Sequence, residues 1–314
     1  MDGQPRILVV KLGALGDFVQ ALGPFAAIRR HHPDAWVTLL TTAPYAEMAY
    51  ASGYFDEIWV DPRSRLPRRL LALRKWLRGT KFQRVYDLQT SDRSAFYFRL
   101  FWPGPYPEWS GIAKGCSHPH ANPGRDAMHT LDRQAEQLRM AGIEDVPAPD
   151  LSWAAPDIAK FNLSGRYALL AAGGAVHRPA KRWPAERFAE LAGWLARQGI
   201  TPLLLGTKAE ARVLQAIAAA CPEARSLAGE TSFLDIVGLA RGAVSAIGND
   251  TGPMHLIAVA GCPSVVLYSS ESDPALCAPR GSRVVILRRP TLEQLPSGDV
   301  EKVLAAMWQE GSVS

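Results

Sequence analysis

Cysteine is scarce in this chain. Cys116, Cys221, Cys262 and Cys277 are the 4 present, and none stands in a paired spacing with another. That excludes a cysteine-ligated zinc site, a CxxC redox centre and a disulfide framework, and reduced thiols in a cytosolic protein are expected. Long apolar runs are missing too. No stretch approaches the ~20 residues that span a bilayer, and Met1 to Arg6 leads into a strand-like run without the basic and apolar parts of an export signal. There is no low-complexity tract and charged residues make up 21% of the chain, which argues against extensive disorder. A hydrophobic fraction of 47% in 314 residues suits two cores rather than one.

Acidic residues are missing from one place in particular. Between Asp61 and Asp87 there is none, while Arg63, Arg65, Arg68, Arg69, Arg74, Lys75, Arg78, Lys81 and Arg84 are all cationic, within a net charge of only +5. Leu66, Leu70, Leu71, Leu73, Trp76 and Leu77 interleave with them at helical spacing, giving a basic amphipathic helix. Such a segment is either a solvated outer face over a core stripe or a surface for an anionic membrane or acidic substrate.

What the chain does have is short apolar strands alternating with helical patterns, the signature of parallel sheets wrapped by helices. Strands are expected at Ile7–Val10, Trp36–Leu40, Glu57–Val60 and Arg84–Asp87, then again at Tyr167–Ala171, Thr201–Leu205, Val244–Ile247 and Ser264–Tyr268. The prolines from Val146 to Pro156 mark a linker, with a boundary near residue 155. Residues 102 to 125, rich in Pro, Gly and His, read as a long loop, and a terminal helix is expected from about Asp299 to Gln309.

In open parallel sheets ligands bind beyond the carboxyl ends of the strands, so the loops there are where chemistry is sought. The most informative is Asn249-Asp250-Thr251-Gly252-Pro253-Met254-His255, which follows an apolar strand and opens an Ala-rich helix. Thr251 and Gly252 there offer backbone N–H groups and a hydroxyl at a helix N-terminus, suited to a phosphate, or Asp250 or Thr251 is simply a cap. After the first strand, Gly13 and Gly16 allow a tight turn and Asp17 stands at a helix start, as a cap or as a carboxylate able to take a proton. The Gly-x-Gly-x-x-Gly spacing is incomplete, so this is not a dinucleotide fingerprint. Lys181 and Arg182 cluster before a helix near Pro184 as a second anion site, and Lys181 is the candidate for binding a diphosphate as its charge develops. Glu210 is either a ribose acceptor or a first-turn acid, and His255 either a donor to phosphate or a packed core residue.

Taken together, Lys11 to Asp17, Asp87-Leu88-Gln89 with Arg93-Ser94-Ala95, His129 before a helix, Arg178 to Pro184, Gly206 to Glu210, and Gly248 to Leu256 followed by Asp273-Pro274 resemble the bacterial ADP-heptose:lipopolysaccharide heptosyltransferases, glycosyltransferase family 9. The resemblance spans nearly the whole chain. It implies an α/β, GT-B fold of two Rossmann-like parallel-sheet domains facing across a cleft: residues 1–155 binding acceptor, 156–298 binding nucleotide sugar, and a helix 299–314 able to pack back on the first domain. It implies inverting transfer of a heptose or related sugar from an ADP-sugar to a hydroxyl of an anionic, lipid-linked saccharide, with Asp17 as base. Lys181, Arg182, Thr251 and Gly252 would hold the diphosphate, Glu210 the ribose, and Asp250 and His255 the donor pocket. Gly13, Gly16, Arg63, Arg65, Arg68, Arg69 and Gln89 would serve the acceptor. No cofactor is expected. The sequence lacks an Asp-x-Asp pair, so Lys181 and the helix dipole are expected in place of a metal. The expected location is the cytoplasm, peripheral on the inner leaflet of the membrane, with no nucleic-acid partner.

Two departures from the family pattern stand out. The basic cluster is preceded by Gly174, Ala175, Val176 and His177 rather than by Pro-Gly and a hydroxyl residue, so His177 is the candidate replacement contact to phosphate. Ser269 stands where the family has Gly, so the sugar itself is open. Two rival readings are a nucleotide-sugar epimerase of the same two-domain shape, which would need no acceptor, and a non-catalytic nucleotide binder.

Overall fold

The computed structural model describes residues 3–64, 66–174, 178–281 and 283–311. The chain divides into two compact units, Met1–Trp153 and Ala154–Ser314. Each is built on one six-stranded, wholly parallel sheet covered by helices.

The first unit carries strands β1 (Arg6–Val10), β2 (Trp36–Thr41), β3 (Glu57–Val60), β4 (Arg84–Asp87), β5 (Glu108–Gly111) and β6 (His118–Pro119), in the order β3-β2-β1-β4-β5-β6. Its helices are α1 (Leu15–Gln20), α2 (Leu22–His31), α3 (Ala46–Ala51), α4 (Pro67–Gly79), α5 (Asp92–Arg99) and α6 (Thr130–Met140). Ile7, Leu8, Val9 and Val10 are all buried, because a parallel strand with helices on both faces has no solvent side. In α4, Pro67 lies at the first turn, where its missing N–H is no loss. Only part of the apolar stripe expected there is core: Leu73 and Leu77, one turn apart, are buried, whereas Leu66 and Leu71 face solvent.

Residues 102–125, read above as one long loop, contain β5 and the edge strand β6. Their sequences, Glu-Trp-Ser-Gly and His-Pro, carry no apolar run. They are strands because β4 offers an open ladder edge and Trp109 buries its ring beside it.

The second unit has β7 (Arg166–Ala171), β8 (Ile200–Leu204), β9 (Arg225–Ser226), β10 (Ser245–Asn249), β11 (Ser264–Tyr268) and β12 (Val284–Arg288), in the order β12-β11-β10-β7-β8-β9. Helices α7 (Ala185–Arg197), α8 (Ala211–Ala220), α9 (Phe233–Gly242), α10 (Gly252–Val259), α11 (Pro274–Cys277) and α12 (Ser297–Gly311) complete it. α12 packs on α7: Val300 and Leu304 enter the core, and Trp308 stacks on Trp194 with ring centroids 5.3 Å apart.

Counted within its own unit, each sheet has its first and fourth strands side by side at the centre, β1 with β4 and β7 with β10. The connections leave those two strands in opposite directions, which opens a crevice at their carboxyl ends.

Candidate active site

In the second unit the crevice lies where β7 and β10 end. Asn249, the last residue of β10, is fully buried. Its Nδ2 donates to the carbonyls of Ala172 (3.0 Å) and Gly173 (2.9 Å), and its Oδ1 accepts from the Trp183 N–H at 2.9 Å. One amide thus ties the loop after β7 to the segment before α7. The next residue, Asp250, accepts on Oδ2 from Lys181 Nζ and Ser272 Oγ, each at 2.7 Å. Burial alone would push the Asp250 carboxyl up, but Lys181 and Ser272 outweigh it and hold it below its ordinary range.

Glu210 closes the same crevice from the loop after β8. Its Oε1 accepts from Gly174 N–H at 2.7 Å, and its Oε2 from the N–H and Oγ1 of Thr207 at 2.8 and 2.9 Å. A Cβ at Gly173 would lie 2.0 Å from Glu210 Oε1, so glycine is required for this approach. Arg182 donates through Nη2 to Gly174 O at 2.7 Å. Thr251 is the N-cap of α10 but makes no side-chain cap bond, and Gly252 follows at the first helical position, with an N–H the helix itself does not use. Thr251 Oγ1 and Arg182 Nε are both buried without a hydrogen-bond partner among the described residues, and both flank Gly174. A buried polar atom left unpaired costs about 1–3 kcal/mol, so two on neighbouring residues mark a place built for a polar ligand.

In the first unit, the Lys11–Asp17 loop is clamped by its neighbours. Leu12 N–H donates to Gln89 Oε1 at 2.7 Å, Thr42 Oγ1 donates to Leu12 O at 3.1 Å, and the buried Lys11 Nζ donates to Leu88 O at 2.9 Å. Gly13 has φ +116°, and a Cβ there would lie 2.6 Å from the Tyr45 ring, which stacks on Phe18. Asp17 sits in the first turn of α1, half-buried, and its Oδ2 accepts from Ala14 N–H at 3.3 Å. It therefore caps its helix while part of the carboxylate stays open to solvent. Burial lowers the Lys11 ammonium below its usual range, and Asp17 is the strongest opposing charge. Arg133 is also lowered by burial and also feels Asp17. Beside the loop is a cavity of about 530 Å³ lined by Gly13, Ala14, Thr42, Tyr45, Asp61 and Arg63. Asp61 in its wall is held by Arg93 at 3.0 Å and by a short bond from the Tyr97 hydroxyl.

Folding thus gathers Lys181, Arg182, Glu210, Asp250, Thr251 and Gly252 at one crevice, with His255 buried a turn further into α10. Gly13, Asp17 and Gln89 gather at the other, and Gly16 is the second residue of α1. Arg63 lines the cavity, whereas Arg68 and Arg69 stand exposed on the first turn of α4, outside its lining. Arg65 and His177 lie outside the described residues. Sequence reasoning passed over Asn249 and Ser272. Asn249 stood in the most informative segment, but Ser272 is 22 positions from the aspartate it binds and gave no local signal. Among the described residues no group of three or more His, Cys, Asp and Glu is placed to hold a metal ion, and no helix is long and apolar enough to cross a membrane.

The sequence profile of glycosyltransferase family 9 (heptosyltransferase) matches residues 70–307. The chain is 31% identical over 308 residues to lipopolysaccharide heptosyltransferase 2 of Salmonella typhimurium, covering 90% of this chain and 88% of that protein. Its fold is similar to that of the glycosyltransferase family 9 protein of Veillonella parvula, with a TM-score of 0.84 at 20% identity over 99% of both chains. It is also similar to the E. coli heptosyltransferase WaaC with ADP, with a TM-score of 0.75 at 21% identity over 96% of this chain and 99% of that one. Since the matched segment spans well over half of the chain and the relative in Salmonella matches over 90% of it, the chain belongs to glycosyltransferase family 9, the heptosyltransferase family.

Proposed function

We propose that this protein transfers a heptose, or a closely related sugar, from an ADP-sugar to a hydroxyl of a lipopolysaccharide core acceptor, with inversion at the anomeric carbon. One observation carries the donor half: the unpartnered, buried Thr251 Oγ1 and Arg182 Nε beside the first turn of α10. A diphosphate supplies the acceptor oxygens these groups lack, at the positive end of a helix. That a related enzyme is solved with ADP supports the choice of nucleotide.

In this reading Lys181, Arg182, Thr251 and Gly252 bind the diphosphate. Glu210 Oε1 keeps a lone pair for a ribose hydroxyl after its bond from Gly174, while Thr207 occupies Oε2. Asp250 positions Lys181, and His255 backs the pocket. As the bond from the anomeric carbon to the diphosphate breaks, negative charge grows on the leaving group, and Lys181 with the helix dipole stabilises it without a metal. The acceptor hydroxyl attacks from the opposite face, and Asp17 takes its proton as the new bond forms. Gln89 acts by fixing Leu12, which sets the Asp17 turn. Gly13, Gly16 and Arg63 shape the acceptor side, and Arg65, Arg68 and Arg69 meet an anionic saccharide on a cytoplasmic membrane surface.

The test is Asp17→Asn, which keeps the shape and removes the base. Thermal stabilisation by ADP and by ADP-heptose should be unchanged while kcat falls by about 10³-fold or more. Retained turnover, or loss of nucleotide binding in parallel, would count against the assignment.

A further inference from the structure

Most large apolar side chains are buried; among the exposed ones are Tyr50, Leu66 (52% exposed), Leu71 (63%), Trp102 (69%) and Tyr106 (44%). The last three belong to one surface. Arg74 donates to Trp102 O at 2.7 Å and to Leu100 O at 3.2 Å, and Arg78 donates to Trp102 O at 2.7 Å and Gly104 O at 2.9 Å, pinning the segment after α5 against α4. Leu71 precedes Arg74 by one helical turn and so shares its face of α4. A recess of about 320 Å³ runs between helix and segment, with Leu77, Phe82, Phe101 and Tyr106 as its apolar bed and Arg78 and Lys81 as cations.

The charge around this patch has one sign. Arg68, Arg69, Lys75, Lys81 and Arg99 are exposed and have no acidic partner among the described residues. Neither 62–86 nor 93–107 contains an acidic residue, and Glu108, the first after the patch, is engaged by Arg84. Exposed Trp and Tyr beside Leu suit the interfacial layer of a bilayer, where one part of the ring is dry and another wet. Arg and Lys around them suit the anionic headgroups of the same layer. A protein partner with a balanced surface would leave these cations uncompensated.

We propose that α4 and residues 99–107 form a membrane-docking surface, in which Leu71, Trp102 and Tyr106 enter the interfacial layer of an anionic phospholipid bilayer and the surrounding Arg and Lys hold its headgroups. The surface deepens the proposed function by giving the membrane of the lipid-borne acceptor a defined place to be met. Its link to catalysis rests on that reading; its chemistry does not.

Intact protein should cosediment with vesicles of phosphatidylcholine and phosphatidylglycerol and far less with phosphatidylcholine alone. The double variant Leu71→Ser with Trp102→Ala should lose about tenfold in partition to the anionic vesicles. Thermal stabilisation by ADP, and turnover on a delipidated acceptor saccharide, should stay at the parent level. Lys75→Ser with Arg99→Ser should lose about fivefold per cation on anionic vesicles and nothing on neutral ones. Equal partition to both vesicle types, or unchanged binding by the Leu71 and Trp102 variant, overturns the proposal. So does a concentration-dependent dimer that Trp102→Ala disperses, which would make the patch a self-association face. If no sugar is transferred from any ADP-sugar while vesicle binding behaves as stated, the reaction assignment falls and the docking surface stands.

Discussion

The fourth strand of each unit ends on a buried side chain of nearly the same size: Asp87 on β4 and Asn249 on β10. Asn249 has both a donor and an acceptor, and it spends them on three backbone groups at the two ends of the β7–α7 connection. Asp87 has only acceptors, and its Oδ1 serves the N–H groups of its own turn, Gln89 and Thr90, each at 3.1 Å. The consequence is two kinds of crevice. The second unit is cross-tied by side chains, with Lys181, Asp250 and Ser272 in one set of bonds and Glu210, Gly174 and Arg182 in another. In the first, single side chains, Gln89 and Thr42, clamp one loop at Leu12 beside an open cavity. A fixed nucleotide diphosphate suits a pre-formed site, whereas a branched and variable saccharide suits an open one.

The largest effect is expected where the cross-ties are cut. Lys181→Ala removes the proposed leaving-group cation and should lower kcat by about 10²-fold, equivalent to ~3 kcal/mol. It also strands Asp250, whose side chain is only 9% exposed, so the melting temperature should drop as well. Calorimetry on Lys181→Ala with Asp250→Asn should recover much of the stability and none of the turnover. A double variant as unstable as the sum of the singles would mean that the pair is not coupled. Next comes Asn249→Ala. It leaves the Trp183 N–H and the Ala172 and Gly173 carbonyls without their partner, at a cost of about 2 kcal/mol in unfolding free energy. ADP affinity should weaken about tenfold, because Gly174, Thr251 and Arg182 lose their relative placement. Acceptor KM should not move, and if it does, the two crevices are less independent than their separate bonding suggests.

A smaller effect is expected on the open side. Neutralising Arg68 and Arg69 should raise the acceptor KM by roughly threefold to tenfold with the donor KM unchanged, since exposed charges are screened and worth up to about 1 kcal/mol each. Equal changes in both KM values would remove α4 from acceptor binding. This helix also shows how far sequence reaches. Its period announced an amphipathic basic helix, and the helix is there. The period could not say which leucines are core: Leu73 and Leu77 pack with Val10, Phe82 and Phe101, contacts made across the chain, while Leu71 faces solvent. The eight expected strands all exist, each carried by an apolar run. β5, β6 and β9 were illegible since their residues follow a neighbour's open edge rather than a pattern of their own, and β12 was passed over despite its apolar run. The loops at strand ends were legible as anion sites from their Gly, Thr and Lys content. Which groups pair inside them was not: Asp250 reads as a cap or a pocket residue, and only the fold shows it holding Lys181 and Ser272.

The smallest effect on turnover, and the sharpest cut at the comparison, comes from giving the first unit the second unit's residue. Burial pushes the Asp87 carboxyl up to about 6, against bonds from Ser94, Thr90 and Gln89 and the charge of Lys11. A folded value above the ordinary range of about 3.9 means that the stability Asp87 contributes is complete below that range and drains away as pH rises through about 6. Asp87→Asn keeps an acceptor for Gln89 and Thr90 and has no charge to bury. Its melting temperature relative to the parent should therefore start near zero difference at the acid end and climb across that window, levelling off above it. His32, lowered to about 4 mainly by its own burial, tilts the stability of both proteins the opposite way across the same range and cancels in the difference. Parallel melting curves for the two proteins across the window would mean that Asp87 does not ionise there, and that Asp17 alone supplies the negative charge opposite Lys11.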